Sequence, residues 1–190
     1  MPANLLILLG PPAVGKMTIG QTIAAHTGYK LFHNHMAIEC VLPIFSPGTQ
    51  QFTATVTSIR SQILETFSRS DESGIIFTFV LARTYDVGTV RLREWAELFT
   101  RRGGRVMLAE LAAPLSVRLE RNQTPNRLAH KSSKRNLLLS ERLLLESESA
   151  YHYDQRAGEH LHGPWQYTHL NTANLSPEDA ADHIIRQFNL

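Results

Sequence analysis

Short apolar runs alternate with longer amphipathic stretches along this chain. The runs cover 4–9, 29–32, 74–81, 105–110 and 166–170. Those at 74–81 (GIIFTFVL) and 105–110 (RVMLAE) are almost continuously apolar, as strands covered on both faces of a parallel sheet must be. Between the runs, stretches 16–27, 50–70, 87–102, 115–122, 134–151 and 177–188 carry apolar residues at helical spacing. Gly28 and the pair Gly103-Gly104 read as stop signals, and Ser176-Pro177-Glu178-Asp179 as a capped helix start. Strand–helix alternation predicts right-handed crossovers and a three-layer α/β/α sandwich on a five-stranded parallel sheet.

Two segments break the rhythm. Residues 40–49 (CVLPIFSPGT) carry two prolines and a glycine and read as a loop. Residues 122–135 (NQTPNRLAHKSSKR) are polar and basic between two helical stretches and read as a mobile lid. The leucine triplets 137–139 and 143–145 read as core and hinge packing.

The first run leads into Gly10-Pro11-Pro12-Ala13-Val14-Gly15-Lys16, which fits the pattern G-x-x-x-x-G-K between a buried strand and a helix. Glycines let the backbone curl so that successive N–H groups converge on phosphate oxygens, and the helix start adds partial positive charge. Lys16 can then reach β- and γ-phosphates. This placement predicts a nucleoside-triphosphate site, built from Gly10, Pro12, Ala13, Val14, Gly15, Lys16, Met17 and Thr18. The residue after the lysine, normally a Mg²⁺-ligating hydroxyl, is Met17, and thioether sulfur suits a hard cation poorly. Thr18 is the nearest hydroxyl and the candidate metal contact.

Composition narrows the class. A chain of 190 residues fits one domain, 1–190, with 43% hydrophobic and 19% charged residues as in ordinary globular proteins. A net charge of +2 gives no reason to expect nucleic acid. One cysteine, Cys40, allows no internal disulfide and suits a reducing cytoplasm. The first apolar run is too short to span a membrane.

His33-Asn34-His35 follows the second run, at the carboxyl end where parallel strands bind ligands. If the backbone stays extended, His33 and His35 point the same way and Asn34 the opposite way. Either imidazole could take a proton from a hydroxyl near neutral pH. Three adjacent letters do not make a metal-dependent HNH nuclease motif. Arg83 and Asp86, after the third run, would face an acceptor, and Glu110 ends the fourth run like a metal-linked acid.

These motifs together resemble the small phosphate-loop kinases, shikimate kinase-like and adenylate kinase-like, and bacterial proteins described as kinase-like or AAA-family ATPases. The match is closest from Leu6 to Glu39, where GPPAVGKMTIG stands for the family's loop and first helix. At the distance of the family's D-x-D, both carboxylates are replaced, by His33 and His35, which puts shikimate itself in doubt as substrate. The resemblance implies that Arg121 stacks on adenine and that Thr172 and Ala173 belong to a base-contacting turn. It also implies that Arg127 closes over the transferring phosphoryl group, with Lys131, Lys134 and Arg135 in reserve. His35 occupies the position of the family's base. The expected activity is ATP- and Mg²⁺-dependent phosphoryl transfer to a small hydroxylated or anionic metabolite, received in segment 36–70, by a cytoplasmic monomer or homodimer. Rival expectations are an ATPase or regulator without an acceptor, and a nucleotide or polynucleotide kinase.

Overall fold

A computed structural model of the chain describes residues 1–81, 86–151 and 161–190. Its five strands are β1 (Asn4–Leu9), β2 (Lys30–Phe32), β3 (Gly74–Thr78), β4 (Val106–Ala112) and β5 (Gln166–Asn171). All pair in parallel, in the order β2-β3-β1-β4-β5. The central strands are buried along nearly their whole length, which is why their sequences run apolar without alternation.

Among the described residues eight α-helices accompany the sheet: α1 (Lys16–Thr27), α2 (His35–Val41), α3 (Gln50–Ser68), α4 (Asp86–Thr100), α5 (Leu115–Arg121), α6 (Pro125–His130), α7 (Leu137–Tyr151) and α8 (Pro177–Phe188). One core packs Leu5, Ile7, Phe77 and Leu108 against Leu64, Trp95 and Phe99 of α3 and α4. The other packs Leu6, Leu8, Met107 and Leu111 against Ile19, Ile23, Ile184 and Phe188 of α1 and α8. Two helix ends follow the expected local chemistry. Gly28 caps α1 at φ 75° with its N–H on Ala24 O, and Ser176 Oγ accepts the Asp179 N–H of α8. No described helix is long and apolar enough to cross a membrane.

The structure differs from the sequence reading in three places. The segment read as a loop from residue 40 starts inside α2, which begins at His35. The lid segment carries α6 and a 3-10 turn, Ser132–Lys134, so it is folded over much of its length. Of the leucines in the two triplets, only Leu144 is buried; Leu138 is 85% exposed. Helix α7 buries Ser140 and Leu144 and leaves the other leucines of the triplets exposed.

Candidate active site

The phosphate loop bridges β1 and α1 through three left-handed residues: Gly10 (φ 138°), Ala13 (φ 63°) and Gly15 (φ 109°). At Gly10 the backbone comes so close to β4 that a Cβ would sit 2.3 Å from Leu111 O. The loop's carbonyls are drawn outwards by side chains. Pro12 O accepts from Arg118 Nη1 (3.5 Å), and Val14 O accepts from Arg121 Nη1 (3.1 Å) and Thr172 Oγ1 (3.2 Å). Lys16 Nζ folds back to donate to Gly10 O and Pro11 O, both at 2.7 Å. No side chain caps the start of α1, and its first turn holds no acid. The unfilled N–H groups of that turn are therefore open to an anion.

Beside the loop lies a cavity of about 700 Å³, within the usual range for small-molecule sites. Lys16, Arg121, Arg127, Lys131 and Lys134 line it, and among the described residues no carboxylate does. The crowding of cations shows in their protonation. Lys16 is pushed well below the usual lysine range by burial and then by Lys131, Arg127 and Arg118. Burial, Arg127 and Lys134 bring Lys131 down to about 7, against the pull of Glu39. An anionic ligand would relieve both.

Helices α6 and α7 form one wall, with Leu143, Leu144 and Ser140 from α7. Asn126 anchors α6 to α1, donating to Thr18 Oγ1 (3.1 Å) and Gln21 Oε1 (2.8 Å). Arg118, only 3% exposed, donates to Ala113 O and Glu148 and so ties the loop region to α7. Arg127 carries its buried Nε without a hydrogen-bond partner and lines the cavity.

The histidines are placed differently from the extended-chain expectation. Strand β2 ends at Phe32, and Asn34 is already helical (φ −47°, ψ −36°), so His35 opens α2. Side-chain alternation fails there: Asn34 and His35 line the cavity, whereas His33 is buried away from it. The Asn34 N–H donates to Thr78 Oγ1 (2.9 Å), which fixes the turn. His35 Nδ1 lies 3.2 Å from Glu39 Oε1. Nor do the imidazoles titrate near neutrality. Burial and then Lys131 lower His35 to about 3 and His33 to about 4.

Other expected residues fall as follows. Pro12, Ala13, Val14, Gly15, Met17 and Thr18 line the cavity; Gly10 supports the loop without lining it. Arg121 joins the loop to the turn after β5 through Thr172, donating to Thr172 Oγ1 (2.9 Å) and Thr172 O (2.6 Å). Thr172 lines the cavity and Ala173 does not. Arg83 lies outside the described residues. Glu110 is buried on β4, accepts from Tyr167 Oη (2.7 Å) and is not among the residues lining the cavity. Its face of β4 is that of Val106 and Leu108, turned to α3 and α4.

For a metal, the cavity offers neutral oxygens: Thr18 Oγ1, Thr78 Oγ1 and Asn34 Oδ1, the last buried without a partner. Hard oxygen donors suit Mg²⁺, which keeps several waters and binds mainly through phosphates in such sites. The residues fit a phosphate-borne ion and supply no charge of their own to hold it.

Glu39, Asn126 and Arg118 were not singled out from sequence. Reading a helix from His35 would have paired His35 with Glu39 at i,i+4; Asn126 and Arg118 act through tertiary contacts that have no local signal.

No protein-family model matches the sequence, and no curated protein matches it. Solved structures do. A sugar kinase from Janibacter sp. HTCC2649 superposes with TM-score 0.60 at 17% identity, covering 99% of this chain and 95% of that one. Shikimate kinase from Acinetobacter baumannii, in complex with shikimate, gives 0.59 at 19% identity over 98% and 93%. A gluconokinase from Sinorhizobium meliloti 1021 gives 0.55 at 15% identity over 98% and 89%.

Proposed function

We propose, from a chain that has the fold of the phosphate-loop kinases, that this protein transfers the γ-phosphoryl group of ATP to a small hydroxylated, anionic metabolite. The observation that carries this reading is the cavity beside the loop. An uncapped helix start, a loop with its carbonyls tied back, and a set of cations with no carboxylate in the lining among the described residues converge there. Such a surface is built for a polyanion.

In this reading Lys16 leaves the Gly10 and Pro11 carbonyls and grips the β- and γ-phosphates beside the loop amides. Arg121, held by the edge of its guanidinium, keeps a flat face for the base in the same cavity that Leu143 and Leu144 line. Thr18 would hold Mg²⁺ with the phosphates, and the ion would supply charge neutralisation between them. The acceptor lies at the end formed by Asn34, His35, Ile38, Thr78 and Val80. Its hydroxyl oxygen attacks Pγ, the bond from Pγ to the bridging oxygen breaks, ADP leaves, and the hydroxyl proton passes to His35. Arg127 and Lys131 face the transferring group, where negative charge must be met without reorganisation. Lys134 lines the same cavity and its charge acts on His35, which favours an acceptor bearing an anionic group.

The test is to incubate the protein with ATP–Mg²⁺ and a pool of hydroxylated and anionic metabolites and to search by mass spectrometry for a new phosphorylated species, with Lys16→Ala as control. A product that requires Lys16 supports the reading. Phosphate release that no acceptor alters would make the protein an ATPase, and phosphorylation only of oligonucleotide ends would make it a polynucleotide kinase.

A further inference from the structure

We propose that Glu39 is a positioning residue: one carboxylate holds both the folded lid and the imidazole of His35, so that the base is oriented only while the lid is docked. The proposal rests on the phosphotransfer reading for His35's task; the geometry itself does not.

The Glu39 carboxylate accepts from four donors. Ser132 Oγ donates to Oε2 at 2.6 Å and the Ser133 N–H to the same oxygen at 3.3 Å. Ser133 Oγ donates to Oε1, and His35 Nδ1 lies 3.2 Å from that oxygen. Burial alone would push the Glu39 carboxyl up, but the hydrogen bonds from Ser132, Ser133 and His35 outweigh it and hold it below the ordinary glutamate value. It is ionised at neutral pH and can only accept.

Two consequences follow. Nδ1 of His35 must carry the hydrogen, which leaves Nε2 as the ring nitrogen with a free lone pair, the tautomer a proton acceptor needs. The serines belong to the 3-10 turn that carries Lys131 and Lys134 over the cavity. Undocking the lid removes three of the four donors. Glu39 is then free to turn to solvent, and the imidazole loses its fixed orientation. The helix makes this possible: at i,i+4 on α2, Glu39 lies beside His35, while its outer side meets the lid. Docking the cations and orienting the base become one event.

Three measurements on the whole protein test this. They are hydrogen exchange of lid peptides without ligand, the His35 tautomer from long-range ¹H–¹⁵N spectra, and turnover against nucleotide affinity. Glu39→Ala should speed lid exchange about tenfold or more, the scale set by a hydrogen bond to a charged group. It should also release His35 to mixed tautomers, and lower kcat about tenfold while the ATP Kd stays within about twofold. The double variant Ser132→Ala/Ser133→Ala, which keeps the carboxylate, should likewise speed lid exchange and release His35 to mixed tautomers; a His35 that keeps its Nδ1–H while the lid opens would overturn the coupling. If Glu39→Ala leaves exchange and tautomer as in the wild type, or weakens ATP binding as much as turnover, the proposal fails. If both structural readouts shift but the wild type phosphorylates no acceptor, the phosphotransfer reading falls and the positioning by Glu39 stands.

Discussion

His35 is a base only while its imidazole is neutral. From the reference value of about 6.5, activity would fall as pH drops below neutrality. In the structure burial and the cation Lys131 disfavour imidazolium, and His35 sits at about 3. The sign is therefore that neutral imidazole persists through the physiological range. Bound triphosphate opposes this by favouring the charged form. Turnover of the saturated enzyme should stay flat from pH 8 to about 5 and fall only at more acid pH. An acid limb centred above 6.5 in the pH–rate profile would show that His35 is not desolvated. Lys131 behaves in the opposite sense. Lowered to about 7, it is largely neutral at pH 8 in the free protein, and a bound polyanion restores its proton. Nucleotide binding at pH 8 should take up about one proton, seen calorimetrically as a heat that differs between Tris and Hepes buffers. A heat independent of buffer would place Lys131 away from the phosphates.

At the scale of elements, the phosphate loop depends on how tightly β4 crosses beneath it. A methyl group at Gly10 would collide with the backbone at Leu111, and the φ of 138° is hostile to any side chain. Gly10→Ala should thus cost both thermal stability and nucleotide binding, measured by melting and by calorimetry; a variant that binds ATP like the wild type would mean the loop can shift. The lid element makes a different prediction. Arg127 on α6 faces the cavity with its buried Nε uncommitted, so a partner is available to it chiefly in the loaded, reacting state. Arg127→Ala should lower kcat by roughly 10²-fold with a much smaller change in ATP Kd. Equal losses would make it a binding residue.

For the molecule as a whole, the two cores and the parallel sheet form a scaffold that folds around the loop, and the ligand should stabilise it by mass action. ATP at a hundred times its Kd adds about 2.7 kcal/mol, or roughly 5–10 °C in Tm for a chain of this size. Lys16→Ala should lose most of that shift. Melting unchanged by millimolar ATP–Mg²⁺ in the wild type would remove the nucleotide from the account. Domain-scale burial also explains why Arg118 is tolerated with so little exposure. It joins the loop, the β4–α5 turn and Glu148 of α7, and a buried guanidinium is stable only when its donors are met.

The sequence by itself determined the central strands β1, β3 and β4, because strands buried on both faces must be apolar throughout, whereas the edge strands β2 and β5 are partly exposed and mixed in sequence. It also determined the phosphate loop: Gly10, Gly15 and Lys16 act through backbone conformation and a local helix start, which neighbours in sequence specify. Tertiary structure decided the rest of the candidate site. Strand alternation could not foresee that Thr78, more than 40 residues away from Asn34, would fix a helical turn there and send His35, not His33, to the cavity. The lid was legible as polar and basic, but its docking through Asn126, Ser132 and Ser133 depends on α1 and α2 meeting it in space. The protonation of His35 and Lys131 was out of reach for the same reason. It is set by burial and by cations brought together from distant parts of the chain, and a reference value describes only a residue alone in water.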